Sequence, residues 1–119
     1  MKNDAMCPIE RYYKGWNERN VEEMAAALHP SFRFHGPMEQ HDSPASFLES
    51  CRKMLGNPAM RDSTVKESAR LVDGEKVAIL YEWTSGDSKK TLPMAEFFSV
   101  KDGKIAEIRL YFDTAKMAI

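Results

Sequence analysis

Apolar positions in the first third of the chain recur with a helical period. Ile9, Tyr12, Tyr13 and Trp16 fall at i, i+3, i+4 and i+7, the stripe of an amphipathic helix, with Gly15 weakening it near its end. Asn20 followed by Glu23 reads as an Asn-led capping box, and it opens a second helix through Met24, Ala27 and Leu28. His29-Pro30 closes that helix, because a residue before proline avoids the helical region. Phe32 to His35 alternates as a short strand and stops at Gly36-Pro37. Ser43-Pro44 supplies an N-cap and a first-turn proline for a third helix, which buries Phe47, Leu48, Cys51 and Leu55 and ends at Gly56-Asn57-Pro58.

From Asp62 onward the period changes to two. Asp73-Gly74, Gly86-Asp87 and Asp102-Gly103 punctuate this half into four consecutive antiparallel strands. Helices, one strand, a helix and then a meander predict an α+β fold in which a curved sheet wraps the helices.

Turn chemistry then predicts which face is which. A two-residue turn at Asp102-Gly103 sets Glu96 against Arg109 and Met94 against Tyr111 on one face. Phe97 with Ile108, and Ala95 with Leu110, make the other face wholly apolar or small, so that face is expected to be the concave one. For the first hairpin, a three-residue loop from Asp73 to Glu75 pairs Leu71 with Val77, Ala69 with Ile79 and Val65 with Trp83. It also places Glu67 opposite Tyr81. A two-residue loop would instead bring Arg70, Ser68 and Lys66 against the same apolar run.

Composition narrows the partners. The 119 residues suit one domain, spanning 1–119, and 43% hydrophobic with 29% charged residues is ordinary for a soluble globule. A net charge of −1 gives no general attraction to nucleic acid or anionic membrane. No stretch has the apolar length of a membrane span, and the N-terminus lacks a signal pattern, so a cytoplasmic location is expected. Cys7 and Cys51 form no C-x-x-C pair and read as free thiols. There is no phosphate-cradling glycine loop or dinucleotide fingerprint, so no cofactor is required.

Three stretches, "YYKGWNERNVEEMAAAL" at 12–28, "FRFHGP" at 32–37 and "FFSVKDGKIAEIRLYFD" at 97–113, resemble the nuclear transport factor 2-like superfamily. The likeness is to its SnoaL-type polyketide cyclases, limonene epoxide hydrolase and ketosteroid isomerase. The resemblance implies a cone-shaped α+β roll with an internal pocket for a small hydrophobic molecule, commonly a homodimer through the outer sheet face. Here that face would carry Met94, Phe98 and Tyr111. One fold hosts isomerases, cyclases, hydrolases and non-catalytic modules, so it implies either cofactor-free acid–base chemistry or a binding or protein-interaction module. The isomerase tyrosine falls on Tyr12, its base on Gly36 and its protonated acid on Ala95, while the hydrolase aspartate falls on Leu110. Both acids being apolar here, a dry pocket is expected.

The candidate residues follow. Tyr12 could polarise a ligand oxygen, and His35 or Glu67 could move a proton, the histidine because it titrates near neutrality. Strict alternation places His35 outward with Arg33, and only a bulge at Gly36 would turn it to the pocket mouth. Trp16, Tyr81, Trp83, Ala95, Phe97, Ile108 and Leu110 are expected to line the pocket. His35, Glu39, His41 and Asp42 cluster in sequence, but they straddle a proline and a loop rather than rigid elements, and no metal site is expected there.

Overall fold

The computed structural model describes residues 5–116. Helix α1 (Met6–Glu18) buries Ile9 and Tyr12, as its stripe predicts, and α2 (Val21–Ala26) follows after a left-handed turn at Arg19. The Asn20 side chain accepts from the Glu23 N–H at 3.2 Å, so the cap forms as read. Gly15 has a different purpose from the one expected. A Cβ there would lie 2.5 Å from Met24 Cγ and 2.9 Å from its backbone nitrogen, so glycine is what lets α2 fold back onto α1.

Strand β1 (Leu28–His35) begins directly after α2 and is longer than predicted, with His29-Pro30 inside it. A two-residue strand, β2 (Gln40–His41), pairs back on it. Helix α3 (Pro44–Leu55) starts where Ser43-Pro44 indicates, its cap accepting from the Ser46 N–H at 3.2 Å. A short helix α4 (Pro58–Arg61) precedes β3 (Thr64–Asp73), β4 (Lys76–Thr84), β5 (Thr91–Lys101) and β6 (Lys104–Phe112), and a 3-10 turn covers Thr114–Lys116. Together the strands form one curved, unclosed sheet in the order β2-β1-β6-β5-β4-β3. The meander is antiparallel as expected, but β1 joins β6 in parallel. Among the described residues no helix is long and apolar enough to cross a membrane.

Helices and sheet meet in a core of rings and aliphatics. Phe47 of α3 stacks on Phe34 at 4.9 Å and meets Phe32 at 5.0 Å, while Tyr12 reaches Phe98 at 6.3 Å. Such pairs add about 0.5–1.5 kcal/mol each beyond their buried area.

Two β-bulges correct the predicted registers. The Asp102-Gly103 turn has both residues at positive φ, the type I′ geometry, and it pairs Lys101 with Lys104 as expected. Beyond it the register shifts by one residue, Val100 opposing Ile105 but Ser99 opposing Glu107, with Ala106 the extra residue. Every pair past that point differs from the prediction: Glu96 faces Leu110, Met94 faces Phe112, Phe97 faces Arg109 and Ala95 faces Tyr111. Glu96, Met94 and Phe98 therefore point inward, and Ala95 and Phe97 outward. In the first hairpin the tip takes the two-residue form, with Asp73 opposite Lys76 and Arg70 opposite Ile79. A bulge at Ser68 then restores the other register, leaving Glu67 opposite Tyr81 and Val65 opposite Trp83.

A buried carboxyl in an aromatic cavity

Between the helices and the concave sheet face lies a cavity of about 700 Å³. Its walls carry Tyr12, Tyr13 and Trp16 from α1, Phe34 from β1 and Phe47 from α3. Tyr81 and Trp83 from β4, Met94 and Glu96 from β5, and Leu110 and Phe112 from β6 complete them. The volume is within the usual range for small-molecule sites.

Glu96 gives this cavity its polarity. Only 5% exposed, its carboxylate Oε1 accepts a hydrogen bond from the Tyr13 hydroxyl at 2.7 Å, across 83 residues of sequence. Burial pushes its pKa above the ordinary carboxylate value, opposed by the hydroxyls of Tyr13 and Tyr81, which favour the ionised form. The same burial, with Glu96 nearby, raises the phenols of Tyr12, Tyr13 and Tyr81, so they remain donors. Burial, chiefly, pushes the Cys51 thiol up to about 12, which keeps it protonated at neutral pH. Trp83 Nε1 is buried with no hydrogen-bond partner among the described residues.

The predicted site residues divide. Tyr12, Glu67, Trp16, Tyr81, Trp83 and Leu110 all border the cavity. Glu67 stands at its rim, about two-fifths exposed, with Arg70 donating to both carboxylate oxygens at 2.8 and 3.0 Å. His35 does not join them: β1 turns Phe32 and Phe34 inward, and His35 lies on the opposite face with Nε2 3.3 Å from Glu107 Oε2. Ala95 and Phe97 are also outside, because of the Ala106 bulge, and Ile108 is fully buried in the core beside the cavity rather than in its wall. The dry pocket is thus corrected to one with a carboxyl at its heart.

Sequence reasoning missed Glu96 and Tyr13. A signal existed: Leu92, Met94, Glu96, Phe98 and Val100 alternate strictly, so β5's own period puts Glu96 on the apolar face. The four residues weighed as metal ligands do not converge either. Glu39 and His41 pair beside the cavity while His35 pairs on the outer face.

Helices packed on a curved, unclosed sheet define the class of small α+β roll. The chain belongs to the SnoaL-like domain family, whose pattern matches residues 9–108. Among curated proteins none matches it. Solved structures agree on the fold. A nuclear transport factor 2-like protein of unknown function from Cytophaga hutchinsonii is 17% identical, with a TM-score of 0.81 over 98% of this chain and 96% of that one. A provisionally named SnoaL-like polyketide cyclase from Jannaschia is 16% identical, with a TM-score of 0.80 over 96% and 88%. TerC, co-crystallised with polyporic acid, is 18% identical, with a TM-score of 0.80 over 96% and 95%.

Proposed function

We propose that the cavity takes up a small hydrophobic molecule bearing a carbonyl or epoxide oxygen, and that Glu96 serves that oxygen in acid–base chemistry without a cofactor. The observation that carries this is a buried carboxyl, raised in pKa and held by Tyr13, in an aromatic cavity large enough for a ring system. With Oε1 occupied by the Tyr13 hydroxyl, a proton on Oε2 can be shared with a ligand oxygen as charge develops there. Tyr13 and Tyr81 then stabilise the carboxylate left behind. A neutral carboxylic acid acting as donor in an apolar site is an established way to stabilise an oxyanion. The co-crystallisation of TerC, a related fold, with polyporic acid supports an aromatic occupant.

A second reading is uptake without turnover. It is favoured by the placement of the bases the sequence suggested, since His35 is outside and Glu67 is paired with Arg70 at the rim.

Matched probes test the uptake. Thermal shifts with 2-acetylnaphthalene and 2-ethylnaphthalene, which differ in the carbonyl oxygen, should favour the ketone at least tenfold in affinity. Glu96→Leu should erase that preference. Equal affinity for both probes in the natural chain would sink the assignment of Glu96 as the oxygen's partner.

We further propose that two copies pair through the outer sheet face. The structure alters the residues first expected there, because Phe98 is 1% exposed in the core and Met94 borders the cavity. Tyr111 remains, joined by Phe97 in an edge-to-face contact at 5.7 Å, and by Leu80 and Leu71 on the same face. These four are between 39% and 66% exposed, an apolar group that a second copy would cover.

A further inference from the structure

A second carboxylate borders the same cavity, and its surroundings differ from those of Glu96. Glu39 stands immediately before β2, its backbone carbonyl accepting from the Gly36 N–H at 2.9 Å. Its side chain is about one-third exposed, so it remains reachable from the cavity it lines. Two donors converge on one of its oxygens. Ser50 of α3 donates its hydroxyl to Oε1 at 2.6 Å, and His41 Nε2 donates to that same Oε1. Oε2 has no hydrogen-bond partner among the described residues.

His41 is itself clamped. Its Nδ1 meets the Ser46 hydroxyl at 2.6 Å, and its ring packs near Phe47 at 5.9 Å and Phe34 at 6.2 Å. Nε2 donates to the Glu39 carboxylate, while Nδ1 and the Ser46 hydroxyl partner each other, so both ring nitrogens are satisfied. Ser46, His41 and Glu39 lie in the order of a hydrolase triad. Ser46, however, is exposed and outside the cavity wall, so the reacting end of this chain is the carboxylate.

We propose that Glu39 is the general base of the cavity, a catalytic carboxylate whose Oε1 is anchored by the positioning residues His41 and Ser50 while Oε2 takes the proton. The inference rests on the reading that the cavity holds a small hydrophobic substrate. Anchoring by two donors fixes the direction of the carboxylate, which is what proton abstraction from carbon needs. The titratable groups set against Glu39 are His41 from the adjoining strand β2 and the Cys51 thiol from α3, which stays neutral. Phe34 and Phe47 supply the apolar side.

Base-promoted opening of 5-nitrobenzisoxazole tests this without knowledge of the natural substrate. Glu39 takes the proton on ring carbon 3, that C–H pair becomes the third bond of a nitrile, and the N–O bond breaks with its electrons on oxygen. The product, 2-cyano-4-nitrophenolate, is coloured, and Glu39 returns its proton to water. The natural chain should turn the probe over well above an equal concentration of acetate. Glu39→Gln should lose at least about 100-fold, the usual contribution of a positioned base. The same variant should hold 2-acetylnaphthalene within threefold of the natural chain. His41→Ala should lower kcat on the probe at least about tenfold with KM little changed, since the carboxylate loses one of its two anchors, and His41→Gln, which keeps a donor, should restore it.

Turnover by Glu39→Gln within threefold of the natural chain would overturn the inference while leaving the uptake reading intact. So would a natural chain that binds the ketone yet leaves the benzisoxazole whole. An unchanged kcat in His41→Ala would overturn the positioning role. A natural chain that neither binds the ketone nor opens the probe would overturn both readings.

Discussion

Replacing Tyr13 with Phe removes one hydroxyl and leaves the ring that meets Phe98 edge-to-face at 5.9 Å. The lost group donates to Glu96 at 2.7 Å, and Glu96 is 5% exposed, so water cannot readily take its place. A buried polar group deprived of a partner loses about 1–3 kcal/mol. At roughly 2.1 cal/mol/K per residue, the 119-residue chain has an unfolding entropy near 0.25 kcal/mol/K, so the midpoint should fall by about 4–12 °C. Hydroxyl and carboxyl form one unit, so Tyr13→Phe and Glu96→Leu should not add. Once Glu96 is apolar, the phenylalanine change should become nearly neutral. The assay is a double-mutant cycle by thermal and denaturant unfolding at neutral pH, and a coupling of at least about 1 kcal/mol is expected. Additivity within about 0.3 kcal/mol would refute the view that Tyr13 holds Glu96 in the folded protein.

Three further outcomes follow from other parts of the structure. Glu96 binds its proton more tightly folded than unfolded, so stability from this group should be fullest below the ordinary glutamate pKa and should decline as pH rises through the raised folded value. Glu96→Gln, which cannot ionise, should therefore flatten the melting profile over that window, and an unchanged profile would contradict the raised pKa. Gly86→Ala would bring a Cβ to 2.5 Å from the Pro58 carbonyl oxygen and 2.7 Å from the Asp62 carbonyl carbon, backbone atoms that cannot swing away. It should cost about 1–3 kcal/mol by denaturant unfolding, and a neutral result would mean that α4 is free to move. Phe97→Asp on the outer face should yield a monomer by light scattering, whereas a dimer that survives it places the contact elsewhere.

The elements were legible because capping and turn chemistry are local. Asn20, Ser43 and Asp102-Gly103 each settle one backbone geometry within a few residues, and each forms as read. Faces were harder, since a face is the product of a turn and every residue between it and the position in question. One extra residue at Ala106 reversed the prediction for β5, and one at Ser68 divided the first hairpin between two registers. No residue type announces a bulge at either place. What does survive an unseen bulge is the period within a single strand, because alternation is counted from the strand itself and not from its partner. On β5 that count puts Glu96 among four apolar residues, whereas pairing through the turn puts it opposite Arg109 on the surface. The two rules disagreed in the sequence itself, and the disagreement fell on the residue that gives the cavity its chemistry. Strand alternation and turn-derived register should coincide in a regular hairpin, so their conflict at Glu96 marks both the bulge and the buried carboxyl.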